Sequence, residues 1–164
     1  MAKVLKEGGY ESDAKEILIA KEKAKSKEMK CYRRLPHALY GLFVGYGYRP
    51  WRALWFGLII IVVGGFLFNA GFQSASMTPV KISDNSPEFH AFVYSLDVFL
   101  PVIDLHQANY WLPDSTKDFK LNISEKISKN FSGKILWYYV WFEIVAGWVL
   151  ATLLVGSLTG LIRR

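Results

Sequence analysis

The chain has 164 residues, which is enough for one domain of ordinary size. Apolar residues make up 52% of it and stand in blocks rather than interleaved with charge, which argues against a soluble domain with a polar shell. The formal net charge is +6, but the Lys and Arg residues are distributed as a topology signal, so nucleic acid is not needed as a partner.

The first segment, residues 1–34, predicts a basic cytoplasmic arm. A helix is expected from about Asp13 to Lys30, because Asp13 and Glu16 have the spacing of a capping box. Five lysines follow a short apolar stripe. Such a helix is either a solvated connection to the membrane or a surface that binds anionic lipid near the N-terminal arm.

Residues 35–52 predict an interfacial segment before the first span. Tyr46, Tyr48 and Trp51 suit the headgroup zone, and Pro50 suits the first turn of a helix. Gly45-Tyr46-Gly47 resembles part of a potassium filter, but it precedes the first span and lacks the preceding Thr-Val. We therefore interpret this stretch as an anchor and hinge.

Two apolar blocks predict transmembrane helices. Residues 53–72 carry no charge and reach about 30 Å as a helix, which matches the hydrocarbon core of a bilayer. Residues 135–162 form a longer block interrupted only by Glu143, and residues 163–164 form a short tail. Fifty-two residues precede the first block, so a cleaved signal peptide is not expected.

The distribution of Lys and Arg predicts the orientation. Residues 1–52 hold twelve of them against six acids, whereas residues 73–134 hold six against seven. Positive flanks stay on the cytoplasmic side. We therefore expect a multi-pass protein of the inner membrane with both termini cytoplasmic and the segment 73–134 facing outward.

The outward segment predicts a short helix over residues 87–100. Ser86-Pro87-Glu88 has the features of a helix start, and apolar residues then recur at helical spacing up to Pro101. This helix is too short to cross a bilayer, so it is expected to be interfacial or re-entrant. The predicted fold class is an all-α membrane protein with two transmembrane helices, this short helix and the basic N-terminal helix.

Polar residues within or near the apolar blocks are the candidate functional residues. Glu143 lies inside the second span, where a carboxylate costs roughly 2–3 kcal/mol, so it is expected to face protein or water. A pore or polar network would comprise four residues: Asp97, Asp104, His106 and Glu143. Small residues allow helices to pack closely, and we therefore expect a homo-oligomer. These residues are Gly147, Ala151, Gly156 and Gly160.

Three stretches of the sequence resemble a known module. They are GYGYRPWRALW, FVYSLDVFLPVIDLHQANYWLP and GWVLATLLVGSLTGLIRR, and the arm GGYESDAKEILIAKEKAK agrees with them. Together they resemble a two-span C-terminal membrane module of uncharacterised bacterial proteins, many of which carry pentapeptide repeats or the label membrane-associated oxidoreductase. The resemblance implies the two-span topology, and no repeat region is seen in this chain.

The residues give no support for redox chemistry. The chain has no GxGxxG after a strand and a single cysteine, Cys31, and its three histidines are scattered, so no cofactor and no catalytic residue are predicted. An Asp/His cluster at 90, 97, 104 and 106 could in principle bind a metal, but no metal site is predicted, because such groups are usually hydrated.

Two functions remain for the whole chain. The favoured one is a membrane anchor or adaptor that oligomerises, in which the polar residues are satisfied structurally. The alternative is an oligomeric two-span cation channel or pore-forming protein, with the region 97–107 near the pore mouth and rings of Asp97 and Asp104 attracting cations. The bulky Val102 and Ile103 depart from known selectivity filters.

Overall fold

The protein is described here by a computed structural model covering residues 8–28, 30–80, 87–124 and 127–159. It is mostly helical. The helices are α1 (Glu11–Glu28), α2 (Cys31–Val44), α3 (Trp51–Gln73), α4 (Ala91–Phe99) and α5 (Lys134–Leu158), with a 3-10 helix at Gly45–Gly47. The strands are β1 (Met77–Pro79), β2 (Trp111–Pro113), β3 (Phe119–Ser124) and β4 (Ile127–Phe131). The chain divides into two compact units. The first consists of residues 1–56 and 150–164, and the second consists of residues 57–149.

Helices α3 and α5 are long and apolar enough to cross a membrane. They have 23 and 25 residues, which corresponds to about 34 and 37 Å of helix. Only 33% and 28% of their most apolar windows are buried within the chain. The core helix of a soluble protein is mostly buried, so these exposed apolar surfaces favour a lipid environment.

The first unit joins the N-terminal helices to the end of α5. Three consecutive residues, Gly45 to Gly47, adopt left-handed backbone angles and reverse the chain after α2. This reversal buries Tyr46, whose ring packs on Gly41 in α2 and lies 4.9 Å from the ring of His37. The hydroxyl of Ser157, near the end of α5, donates to the Gly47 carbonyl at 3.2 Å.

In the second unit, a small β-containing region follows α3 and precedes α5. Strands β1 and β2 pair antiparallel, and so do β3 and β4. The residues at the centre of the core come from several elements. They are Phe68, Ala70, Met77, Ala91, Tyr94, Phe119, Leu136 and Val140.

The structure corrects several expectations about secondary structure. The polar stretch before the second span contains strands, so the fold is not purely α-helical. The short helix begins at Ala91 rather than at residue 87, although Pro87 and Glu88 favour a helix start. The reason is tertiary: the Trp111 indole N–H donates to the Pro87 carbonyl, and the Gln107 amide donates to the Glu88 carbonyl, both at 3.2 Å. These contacts engage the backbone before the helix.

Boundaries elsewhere shift by a few residues. The first predicted span, 53–72, lies within α3, and the second, 135–162, begins one residue after α5 does. The interfacial segment 35–52 is largely helical, and Tyr46 within it is buried rather than available to headgroups. Ser86, Gly160 and the tail 163–164 lie outside the described residues.

Candidate functional site

Helix α4 lies directly against both long helices within the second unit. Its start meets α3 at Gly65, where a Cβ atom would overlap the ring of Phe92. Its end meets α3 at Gly57, where a Cβ would come within 3.0 Å of the Phe99 ring. Phe99 also meets α5, because its carbonyl oxygen occupies the space that a side chain at Gly147 would need. Helix α4 therefore runs antiparallel to α3 and reaches the middle of α5.

Glycines at seven-residue spacing allow this close packing. Gly57, Gly64 and Gly71 lie on one face of α3, because seven residues are close to two helical turns. Each has a neighbouring side chain in the space where its own would stand, and at Gly71 this neighbour is Leu136 of α5. The row brings α4 and α5 against the backbone of α3.

At the centre of this packing lies the carboxyl group of Glu143. The side chain is fully buried, and its Oε1 atom is 2.5 Å from the hydroxyl of Ser95 in α4. The same hydroxyl lies 3.0 Å from the Ile61 carbonyl of α3. Oε1 of Glu143 and Oγ of Ser95 both press against Gly64. The second carboxyl oxygen, Oε2, is buried without a hydrogen-bond partner. Glu143 and Ser95 thus connect all three helices.

A second polar contact lies one turn away. The hydroxyl of Tyr139 in α5 donates to the Ile60 carbonyl of α3 at 2.8 Å. Carbonyls of consecutive residues in α3 therefore accept side-chain hydrogen bonds, one from each neighbouring helix. Such bonds are expected where a helix contains a glycine pair, because small residues leave the backbone accessible.

After α4 the chain returns along the helix as an irregular loop. The carboxylate of Asp97 holds this loop, since it accepts the amide of Leu105 at 2.6 Å and that of Ala108 at 2.8 Å. Gln107 holds its far end, because its side chain is buried and accepts the His90 amide at 3.3 Å. This return loop, residues 100–109, is thereby fixed beside α4.

The return loop borders an open depression of about 270 Å³. Val102 is 88% exposed and Ile103 is 53% exposed. The carboxylate of Asp104 is exposed as well, and it accepts the amide of His106 at 2.7 Å. The residues that line the depression are Asp97, Leu100, Pro101, Val102, Ile103, Asp104, Ala108 and Asn109.

The four predicted polar residues occupy two different places. Asp97, Asp104 and His106 belong to the return loop or its support, and the Nδ1 atom of His106 lies 3.5 Å from Asp104 Oδ1. Glu143 belongs to the buried contact with Ser95. Residues 95 and 97 are about 200° apart on a helix, so α4 separates the two places.

The residues that sequence reasoning missed are Ser95 and the glycine row of α3. The sequence places Gln107 in the loop near the pore mouth, but does not reveal it as a support of that loop. Ser95 has no individual signal, because a serine in an apolar helix is common. The row of Gly57, Gly64 and Gly71 does have one, since glycines seven residues apart in a span indicate a packing face. Among the predicted packing residues, Gly147 meets Phe99 within the chain, and Ala151 and Gly156 are partly exposed.

The described part of the chain contains no cluster of metal ligands. No group of three or more His, Cys, Asp or Glu residues there is arranged to hold a metal ion.

In the strand-rich region, the hydroxyl and amide of Thr116 hold the pKa of Asp114 below its usual range, as in an ordinary turn.

Comparisons with known proteins give no further guide to the site. No protein-family model, no curated protein and no solved structure matches the chain.

Proposed function

We propose that the protein is an oligomeric membrane protein in which the return loop, residues 100–109, faces a water-containing path between copies. This is the channel-like alternative of the two functions considered from the sequence. The observation that carries it is an irregular, partly polar loop that begins beside the middle of α5 and beside Gly57 of α3 and is exposed in a single chain.

The depth of the loop supports this proposal. The carbonyl of Phe99 meets Gly147, which is close to the midpoint of α5, so the chain turns back at about half the length of that helix. If α3 and α5 span a bilayer, residues 100–104 lie within its hydrocarbon region. Helix α4 has nine residues, or about 14 Å, and does not cross.

Because the loop is exposed in the single chain, another protein surface or water must contact it within the bilayer. Non-helical backbone at membrane depth is tolerated only where it is buried in protein or lines a water-filled cavity. Asp104 and Asn109 are exposed in the single chain, and neither suits contact with lipid tails. Copies arranged around an axis would cover these groups.

A hairpin of spans agrees with the orientation proposed from the charges. In the first unit, Ser157 near the end of α5 contacts Gly47 just before α3. In the second unit, Tyr139 near the start of α5 contacts Ile60 in α3. By the first of these contacts the end of α5 belongs with the N-terminal helices in one unit, which we propose lies on the cytoplasmic side of the inner membrane.

The loop supplies two kinds of ring to such a path. Asp104 would form a carboxylate ring that attracts cations, and Val102 with Ile103 would form an apolar constriction that gates by dewetting. Asp97 is not part of the acidic ring, because both of its oxygens accept backbone amides. Without a carbonyl-lined filter, we expect little discrimination among monovalent cations.

A current measurement tests the proposal. Purified protein in planar bilayers should pass cation currents, and Asp104→Asn should lower them roughly twofold or more at low salt, because a charged ring raises the local cation concentration. The decrease should shrink at high salt, where charges are screened. Asp118→Asn, which removes another exposed carboxylate of the same segment, is the matched control and should leave the currents unchanged. Silent bilayers across voltage and salt would eliminate the channel function.

A separate experiment tests the membrane location itself. The protein should stay with vesicles through carbonate extraction. A cysteine at Ser115, in a Cys31→Ser background, should react with an impermeant thiol reagent only from the non-cytoplasmic side. Release by carbonate, or labelling of position 115 from the cytosol, would contradict the proposed topology.

The anchor function is favoured by one other feature, the exposed lysines of α1. Lys21, Lys23, Lys25 and Lys27 are all exposed on a helix with little apolar surface. Vesicles containing anionic lipid should retain a peptide of residues 8–30 in a salt-dependent manner if this helix binds the membrane surface. Such binding together with silent bilayers would favour the anchor.

A further inference from the structure

We infer that Glu143 is a proton-binding site inside the helix packing. The protonated carboxyl donates a hydrogen bond to Ser95, which leaves the serine hydrogen free to hold α4 against α3 through the Ile61 carbonyl. This goes beyond the proposed path between copies, because Glu143 lies on the side of α4 away from the return loop. It depends on the proposed function only in that lipid surrounds the helices.

The count of hydrogen atoms supports a protonated carboxyl. A serine hydroxyl has one hydrogen to donate, yet Ser95 Oγ lies within hydrogen-bond distance of two acceptors, Glu143 Oε1 and the Ile61 carbonyl. An ionised carboxylate and a carbonyl both only accept. One of the two contacts would then lack a hydrogen. A protonated Glu143 donates to Ser95, and Ser95 donates to Ile61, so each contact has its own hydrogen.

The second carboxyl oxygen supports the same state. Oε2 of Glu143 is buried and has no hydrogen-bond partner. An unpaired oxygen that shares a full negative charge is far more costly to bury than the carbonyl oxygen of a neutral acid. With the proton on Oε1, Oε2 is such a carbonyl oxygen.

The distances also argue against a metal cation as the occupant. The Oγ and Oε1 atoms are 2.5 Å apart, at the short end of the range of O–H···O hydrogen bonds. A cation between them would push the oxygens apart, because each ligand oxygen stands at least about 2 Å from even a small ion. The proton is therefore the ligand that fits.

Among the residues that the structure describes, no basic group faces the carboxyl from the elements packed around it. Its titratable neighbours are Tyr139 on its own helix and Tyr94 on α4, with Asp97 beyond Tyr94. Helix α3 contributes none between Gly57 and Gln73. Loss of the proton would leave a negative charge buried against Gly64 without a counter-charge beside it. We therefore expect deprotonation to loosen α4.

Infrared spectroscopy of the purified full chain tests the inference. At pH 7 the wild type should show the carbonyl stretch of a protonated carboxylic acid, which exposed Asp and Glu residues do not contribute because they are ionised. Glu143→Gln should abolish this band. Identical spectra for the two proteins would mean that Glu143 is ionised, and would overturn the inference.

Two further arms keep the test decisive if the Gln variant does not fold. Ser95→Ala should retain the band but shift it to higher frequency, since the hydrogen-bond acceptor of the acid is removed; an unshifted band would contradict the link to Ser95. The wild-type band should be equal in sodium and choline buffers, and its loss in sodium would identify a metal cation as the occupant instead. Neither arm depends on currents, so a silent bilayer does not affect them.

Discussion

Gly64 shows at the scale of one residue why a glycine stands in the middle of an apolar helix. Glycine weakens a helix by about 1 kcal/mol relative to alanine, so its presence needs a reason. Here the reason is space, because the atoms of Glu143 and Ser95 occupy the position of its missing side chain. The polar contact can form only while residue 64 has no Cβ.

Alanine at position 64 should therefore separate α4 and α5 from α3. We expect Gly64→Ala to lower the free energy of unfolding by about 1–3 kcal/mol, the usual cost of overpacking, despite the better helix propensity of alanine. Denaturation in detergent, followed by tryptophan fluorescence, measures the change.

Gly71→Ala is the matched control on the same face of α3. Its added Cβ would meet Leu136 Cδ1 at 2.7 Å, and this atom is the end of a flexible side chain that can move away. A smaller loss of stability is expected. Equal effects at both positions would indicate that the polar contact adds nothing to ordinary helix packing.

At the scale of the element, α4 and its return loop form a unit held by side chains rather than by regular pairing. Asp97 replaces the missing backbone acceptors for two amides of the loop, and Gln107 holds the backbone just before α4. A carboxylate that accepts backbone N–H groups makes strong, charge-assisted bonds. The loop is expected to be ordered for this reason.

Removal of the Asp97 carboxylate should release that loop. Asp97→Ala leaves the part-buried amides of Leu105 and Ala108 without acceptors. A fully buried donor that loses its acceptor costs about 1–3 kcal/mol, so each of these amides should cost up to that amount. Hydrogen exchange should show faster exchange at both amides. Asp104→Ala, the control, removes only exposed contacts, with His106 and with the Asn109 side chain, and should leave these two amides protected. Unchanged exchange in Asp97→Ala would show that packing alone orders the loop.

The sequence predicts the long elements of this fold better than the short ones. Long apolar runs determine α3 and α5, so their ends could be predicted to within a few residues. The start of α4 could not, because contacts from Trp111 and Gln107, some twenty residues later, override the local preference of Pro87 for a helix. Strands β3 and β4 are short and polar, and their pairing depends on tertiary context.

The candidate site could be predicted in its parts but not in its arrangement. An acid within an apolar block, Glu143, is visible in the sequence because it is costly there. Its partner Ser95 lies forty-eight residues earlier, and nothing in the local pattern links the two. The same limit applies to Asp97, whose backbone partners become apparent only in the folded chain.

For the whole molecule, the exposed surfaces of the chain bear on the proposed association of copies. Two kinds of exposed surface occur in the second unit: apolar faces of the long helices, which suit lipid, and the mixed return loop, which does not. Val145 belongs to the first kind, with 60% of its surface exposed, and Val102 to the second, with 88%. Association through the loop would cover the surface that lipid solvates poorly.

Cysteine cross-linking in membranes distinguishes these two surfaces. In a Cys31→Ser background, Val102→Cys should form disulfide-linked dimers on mild oxidation, because copies around an axis bring their loops together. Val145→Cys should remain monomeric, since lipid separates that face from other copies. The opposite result, with dimers through position 145 alone, would mean that copies meet along α5. The loop would then lie on the outside of the assembly, where its exposed carboxylate at Asp104 could not line a path, and the channel-like function would lose its structural basis.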